Sequence, residues 1–60
     1  MKLKEIRKEK GLSQVRLAEI SHVDRVSISR YETGVKKPGL TNLKRLAVAL
    51  GVTTDELAGE

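Results

Sequence analysis

The 60-residue sequence contains no cysteine, tryptophan or phenylalanine, and it has only one tyrosine and one proline. Without cysteine, the chain can form neither a disulfide nor a thiolate metal site, and this composition fits a reducing compartment. No apolar run approaches the roughly 20 residues of a transmembrane helix. The N-terminal segment also lacks the apolar stretch of a secretory signal. We therefore expect a small domain held together by aliphatic packing, with no metal site and no membrane segment.

Aliphatic side chains supply the expected core. A domain of this size buries only about 60% of the surface that its unfolded chain exposes, so the available apolar residues must pack well. Their spacing at three and four residues favours helices, and no alternating pattern predicts a strand. The expected core residues are Leu3, Ile6, Leu12, Leu17, Val23, Ile28, Leu40, Leu43, Leu46, Leu50, Val52 and Leu57.

Charge is distributed unevenly along the chain. The formal net charge is +4, but residues 1–52 carry 12 basic and 5 acidic side chains, whereas residues 53–60 carry acids and no base. A basic body of this kind indicates a polyanionic partner such as nucleic acid. The alternative is a lysine-rich surface that serves only solubility.

Glycine residues and capping residues divide the chain into five short helices. Gly11, Gly34 and Gly51 are expected to end the first, third and fourth helices. Thr53 and Glu56 fit a capping box that begins the last helix. The predicted helices span about residues 2–9, 14–21, 25–32, 40–50 and 53–58, with a loop at 35–39. We therefore expect an all-α bundle that forms one domain over residues 1–60.

The second and third predicted helices form the pattern of a helix-turn-helix. Ser13 and Asp24 stand where each helix needs an N-cap. The small Ala18 permits a close crossing of the two helices. The side chains expected to be buried are Leu17 and Ala18, either Ile20 or Ser21, and then Ile28 and Tyr31. Two short crossed helices joined by a tight turn place the second helix in the major groove of DNA.

The outward face of the third helix carries side chains suited to reading bases. At about 100° per residue, Ile28 and Tyr31 define the buried face. The face turned away from them carries Arg25, Val26, Ser29, Arg30 and Thr33. Arginine can pair with the guanine edge through two hydrogen bonds, and valine can contact a thymine methyl group. Ser27, on the flank, can reach a base edge or a phosphate. The alternative is that both arginines are simply solvated.

Five segments of the chain together carry a pattern known from one family, namely Ile6–Gln14, Leu17–Glu19, Ile28–Gly34, Pro38–Leu43 and Leu46–Leu57. In these segments the sequence resembles the Cro/C1-type helix-turn-helix family, also called Xre or lambda-repressor-like domains. It implies a compact bundle of five helices that binds operator DNA, usually as a two-fold dimer. It also implies a dimer surface at roughly Val52 to Leu57.

The resemblance assigns roles to individual residues. It implies that Gln14 contacts a phosphate at the N-terminus of the second helix, where free N–H groups also favour an anion. It implies a partly buried ion pair between Arg7 and Glu32. With the outward face of the third helix included, the expected base contacts are Arg25, Val26, Ser29 and Arg30. The expected phosphate contacts are Gln14, Arg16, Ser27, Lys36 and Lys37.

Three positions depart from the family pattern. His22 stands where the family usually has a turn glycine, so we expect a positive φ there, which histidine tolerates better than most residues; a metal ligand or pH switch is the alternative. Asp24 replaces a serine or threonine cap, and its charge near a phosphate should weaken non-specific binding. Val15 and Arg16 stand where acids are common. Arg16 is disfavoured by the helix dipole, although facing DNA it could gain a phosphate contact.

The leading interpretation is a cytoplasmic transcription regulator of repressor type, encoded by a bacterium, an archaeon or a phage. We expect it to bind a palindromic double-stranded operator as a homodimer, without a cofactor, a metal or a small-molecule site. The alternative is a protein-interaction module on the same scaffold, such as an antitoxin or bridging factor, which should display apolar residues on the third helix. An enzyme is disfavoured, because the sequence has one histidine, no cysteine and no phosphate-binding glycine loop.

Overall fold

The computed structural model describes residues 1–59; Glu60, which belongs to the predicted domain and to its acidic end, lies outside the described residues. Five α-helices account for the regular structure of this part of the chain. They are α1 (Leu3–Glu9), α2 (Gln14–Ser21), α3 (Arg25–Thr33), α4 (Leu40–Leu50) and α5 (Thr54–Ala58). The predicted all-α bundle is confirmed, with α1 and α5 each starting one residue later and α3 ending one residue later than expected.

Side-chain caps begin three of the helices. Ser13 Oγ accepts from the Arg16 N–H at the start of α2. Asp24 Oδ2 accepts from the Ser27 N–H at the start of α3. Thr53 and Glu56 form the expected reciprocal capping box at the start of α5. Each cap satisfies an N–H group that has no partner inside its helix, which is worth about 1 kcal/mol.

The core lies between the five helices: α2 packs against α3 and α4, α1 packs against α3 and α5, and α5 also packs against α4. Its fully buried side chains come from all five helices, namely Leu3, Leu17, Ile28, Leu46 and Leu57. Leu12, Leu43 and Val52 are half-buried and pack against this core. The helices α2 and α3 pack against each other. Helix α4 supports α2, and helix α1 supports α3.

Two expectations about burial are resolved or corrected. Leu40 was expected in the core, but it is 65% exposed because it is the first residue of α4 and lies beyond the packed turns. On α2, Ser21 is buried, whereas Ile20 is 36% exposed. The choice between these two residues is therefore settled in favour of Ser21, whose Oγ accepts from the Val23 N–H in the turn.

The turn between α2 and α3 depends on a left-handed residue. His22 has φ 59° and ψ 29°, and it is the non-glycine residue with positive φ among residues 1–59. This conformation turns the chain from the end of α2 to the Asp24 cap of α3 within two residues. The expected positive φ at His22 is confirmed, and an L-residue is less stable in this conformation than glycine is.

Candidate nucleic-acid interface

Helix α3 is held by one face and presents the other to solvent. Ile28 and Tyr31 are buried, whereas Arg25, Val26 and Arg30 are exposed. Val26 is 55% exposed. Ser29, the fourth predicted base contact, is half-buried. The face therefore combines two long cations with an apolar side chain between them, a pattern suited to base edges.

The N-cap of α3 is a carboxylate that is already hydrogen-bonded. Asp24 Oδ2 accepts from the Ser27 N–H at 3.0 Å, and Asp24 Oδ1 accepts from the Ser27 hydroxyl at 2.7 Å. The hydrogen bonds from the Ser27 hydroxyl and N–H lower the pKa of Asp24, and the charge of Arg30 adds a smaller contribution. Because the Ser27 proton is committed to Asp24, a phosphate contact by Ser27 would require that hydroxyl to rotate.

The side chains of α1, α2 and α3 meet in one hydrogen-bonded cluster. Arg7 Nε donates to Glu32 Oε2 at 2.6 Å, and Arg7 Nη2 donates to Glu32 Oε1 at 3.0 Å. The remaining nitrogen, Arg7 Nη1, donates to the Leu12 carbonyl at 2.7 Å. Gln14 Nε2 donates to Glu32 Oε1 at 3.0 Å. The expected ion pair between Arg7 and Glu32 is thus present as a bidentate contact that also ties down Gln14.

Burial and pairing act against each other in this cluster. The side chains of Arg7 and Glu32 are 9% and 3% exposed. Burial opposes ionisation of Glu32, but the hydrogen bonds from Arg7 and Gln14 and the charges of Arg7 and Lys4 outweigh it, so the pKa of Glu32 is lowered. The hydrogen bond to Glu32 raises the pKa of Arg7. Both groups therefore stay charged at neutral pH, as a bidentate pair requires.

The remaining predicted phosphate contacts are basic side chains at the surface. Lys36 and Lys37 are exposed in the loop between α3 and α4. Arg16 is exposed on the first turn of α2, and its Nη1 lies 3.5 Å from Glu19 Oε1, a long contact one turn along the helix. Such an exposed pair contributes little to stability, so Arg16 can exchange Glu19 for another anion.

Three contacts were not anticipated from the sequence. Asn42 Nδ2 donates to the Tyr31 hydroxyl at 2.9 Å and joins α4 to α3. Arg45 Nη1 approaches the His22 carbonyl at 3.5 Å. The Gln14 amide bonds to Glu32, as described above. Each joins residues at least 11 positions apart, so helical periodicity carries no signal for it.

One residue of the segment expected to form a dimer surface is not exposed. Leu57 faces inward from α5 and is fully buried in the core of its own chain. The exposed residues of that segment are Thr53, Asp55 and Glu56.

Within residues 1–59, no group of side chains is arranged to hold a metal ion, and none of the helices in the described part has the length and apolarity to cross a membrane.

Comparison with known proteins gives a consistent match along the chain. The helix-turn-helix family model matches residues 3–57. The chain is 41% identical over 56 residues to the HTH-type transcriptional activator BcrR of Enterococcus faecalis, covering 93% of this chain and 28% of that protein. It is 37% identical over 59 residues to the immunity repressor protein of Bacillus phage phi105, covering 98% of this chain and 41% of that protein. No solved structure matches with significance.

A shorter relative is covered over most of its length. The chain is 42% identical over 57 residues to the control protein C.MunI of a Mycoplasma species, covering 93% of this chain and 77% of that protein. By contrast, it spans less than half the length of the activator and of the immunity repressor. The match over residues 3–57 and the geometry of α2 and α3 lead to one assignment. The chain belongs to the Cro/C1-type helix-turn-helix family, whose members are DNA-binding domains of transcription regulators and not enzymes.

Proposed function

We propose that this chain represses transcription by occupying operator DNA, with α3 inserted into the major groove. The observation that carries the proposal is the division of α3 into a buried face with Ile28 and Tyr31 and an exposed face with Arg25, Val26 and Arg30. A recognition helix needs this division, because one face must stay anchored while the other contacts bases. A protein-interaction module would be expected to expose an apolar face, and two arginines on this one favour DNA.

The exposed side chains of α3 divide the reading of bases among them. Arg25 and Arg30 can each donate two hydrogen bonds to the O6 and N7 atoms of guanine. Val26 supplies an apolar surface for a thymine methyl group. Ser29 is half-buried and can contribute only a short-range contact at the edge of this face. The operator should therefore contain guanine and thymine at positions that α3 covers.

Phosphate contacts position α3 over the bases. Glu32 holds one N–H of the Gln14 amide, and the second N–H remains available to donate to a phosphate. The N-terminus of α2 adds its own unpaired N–H groups and the positive end of its dipole. Arg16, Lys36 and Lys37 add positive charge around the same face. These contacts set register and affinity but carry no sequence information.

We further propose that two copies bind one palindromic operator. Two-fold helix-turn-helix dimers place their recognition helices about one turn of DNA apart, so that each reads one half-site. Occupancy of such a site by the dimer would exclude polymerase from an overlapping promoter. The names of the relatives include both an activator and a repressor; the latter supports this reading. Because its partner would be DNA, we also propose that the protein acts in the cytoplasm of its host.

Selection from a random duplex library tests the proposal directly. The chain is incubated with duplexes that carry about two helical turns of randomised sequence, and bound DNA is recovered over several rounds and sequenced. A palindromic consensus with guanine in each half-site is expected. Bound sequences without any consensus would contradict sequence-specific binding, and a single, non-palindromic site would contradict the dimer.

A further inference from the structure

A cavity opens at the surface beside the loop that follows α3. Its volume is about 250 Å³, a little below the roughly 300–1,000 Å³ of sites for drug-sized ligands. Its lining comes from three separate parts of the chain, namely the first residue, the segment that leads from α3 into α4, and the end of α5. The size suits a small molecule, and the scattered origin of the lining explains why no such site was expected from the sequence.

Two lysines give the cavity a positive charge. Lys36 and Lys37 line it and are exposed, and none of the lining residues from the described part of the chain is acidic. Neither lysine forms an ion pair with another residue in the range 1–59. Both ammonium groups are therefore available to an anion in the cavity.

A nearly buried hydroxyl also lacks an acceptor at this place. Tyr31 lines the cavity and is only 5% exposed. Its oxygen accepts from Asn42 Nδ2 at 2.9 Å, but a phenol also has one proton of its own to donate. Among the side chains and backbone of residues 1–59, no group accepts that proton. A buried donor without an acceptor is unfavourable, so a ligand that accepts from Tyr31 would be stabilised here.

The rest of the lining is largely apolar. Pro38 and Leu43 contribute from the approach to α4 and from α4 itself, and Met1 and Ala58 contribute from the two ends of the described chain. In small-molecule sites an apolar lining binds the body of the ligand, and a few polar groups fix its orientation. A phosphate, whether free or part of DNA, offers charge to the lysines but no apolar body to these four side chains. The lining therefore favours an organic acid over a phosphate.

We infer that this cavity is a regulatory site for a small carboxylic acid with an aliphatic or aromatic body. The carboxylate pairs with Lys36 and Lys37 and accepts the proton of Tyr31, while the body covers Pro38 and Leu43. The regulatory role rests on the proposed function, in which the same two lysines contact phosphates. An acid bound between the lysines removes those contacts from DNA, so the acid and the operator each weaken the binding of the other.

Benzoate is the first probe of the site, and hexanoate is its aliphatic counterpart. Each is titrated into the isotopically labelled chain at constant ionic strength, and the backbone amide signals are followed by NMR. A probe of this size should bind with a Kd of about 1 mM. Benzamide has the body without the charge, and inorganic phosphate has charge without the body, so each should bind about tenfold or more weakly. Benzoate should shift together the signals of Gly34, Lys36, Lys37 and Leu43.

Variants separate the contributions of charge and hydroxyl. Lys36→Gln and Tyr31→Phe should each weaken benzoate binding about fivefold or more. Lys44→Gln is the matched control for charge, because Lys44 is exposed on α4 and does not line the cavity. Asn42→Ala is the control for Tyr31→Phe, because it breaks the same bond between α3 and α4 and keeps the hydroxyl. Neither control should weaken benzoate binding more than about twofold, and circular dichroism verifies that each variant is folded.

Competition with DNA is measured on the selected operator. Benzoate at about ten times its Kd is compared with sodium chloride at the same ionic strength, because chloride alone also weakens DNA binding. Wild type should lose about fivefold or more in operator affinity beyond the effect of chloride. Tyr31→Phe keeps both lysines for DNA but binds benzoate poorly, so its operator affinity should respond to benzoate much less.

The negative results are distinguishable. The site is overturned if no saturable shifts occur at the cavity, or if phosphate binds as tightly as benzoate. The regulatory role is overturned if benzoate binds in the cavity but weakens operator binding no more than chloride does. If the chain selects no operator while benzoate still binds in the cavity, the proposed function and the regulatory role fail and the site itself stands.

Discussion

Arg7 on α1 and Glu32 on α3 are joined by two hydrogen bonds in a site that is almost closed to solvent. The pair links the N-terminal helix to the candidate recognition helix, and Glu32 also accepts a hydrogen bond from the Gln14 amide at the start of α2. One carboxylate thus fixes three helices relative to one another. The cluster is structural in origin, but it places a predicted phosphate contact beside the helix that is proposed to read the bases.

Removing one partner of this pair should destabilise the domain strongly. Glu32→Ala leaves the buried Arg7 guanidinium without its counter-charge, and the expected loss is about 3 kcal/mol in the free energy of unfolding. Glu19→Ala, in the exposed pair with Arg16, is the matched control and should cost less than about 1 kcal/mol. Denaturant melts of Arg7→Ala, Glu32→Ala and the double variant provide the measurement. Additive losses in the double variant would mean that the two side chains do not interact.

Stability should fall in acid through the same carboxylate. The pKa of Glu32 in the folded chain lies below its ordinary value of 4.5, so its ionised form favours folding. That contribution is fully present above the unfolded pKa and is lost as pH falls through the folded pKa. Urea melts from about pH 7 to about pH 3 should show a steeper decline for wild type than for Glu32→Gln. Parallel curves for the two proteins would exclude a role for Glu32 ionisation.

Glycine in place of His22 should stabilise the chain. His22 adopts φ 59° in the turn, which costs an L-residue about 1–2 kcal/mol that glycine does not bear. Glycine loses more entropy on folding, so the expected net gain for His22→Gly is about 0.5–1 kcal/mol. The side chain of His22 is exposed, so no packing is lost. His22→Ala retains the strain and should show no gain, and thermal melts of both variants decide the matter.

DNA affinity should depend steeply on salt. Each neutralised phosphate contributes about −0.9 to the slope of log K against log salt. A bound dimer with roughly six such contacts should therefore lose about 10³-fold in affinity between about 50 and about 200 mM salt. Lys37→Ala should reduce the slope by about 2 in a dimer, whereas Lys37→Arg should preserve it. A slope near zero would contradict the electrostatic part of the proposed function.

Local signals predicted most of the fold. Helix ends followed from side chains that act on their own backbone, such as Ser13, Asp24 and Thr53. The exception was Leu40, which has the apolar spacing of a core residue but sits on the first turn of α4, where no other helix covers it. Periodicity assigns a face and cannot tell how far along a helix that face stays covered.

Tertiary contacts within the candidate site were less accessible to sequence reasoning. Arg7 and Glu32 are 25 residues apart, and only resemblance to a family suggested their pairing. The bonds from Gln14 to Glu32 and from Asn42 to Tyr31 had no such signal. The three-residue spacing of Asp24 and Ser27 is that of a cap and could have predicted their hydrogen bond. It did not indicate that the Ser27 hydroxyl donates to Asp24 and would have to rotate to contact a phosphate.

The affinity of Arg30→Ala for two duplexes tests the central claim most directly. Arg30 is exposed on the face of α3 away from Ile28, so its loss should leave the fold intact. Binding is measured at one salt concentration on the selected operator and on a scrambled duplex, with Lys37→Ala as the control. Arg30→Ala should lose about 1–3 kcal/mol on the operator and much less on the scrambled duplex. Lys37→Ala should weaken both duplexes by a similar factor. An equal loss for Arg30→Ala on both duplexes would contradict base reading by α3.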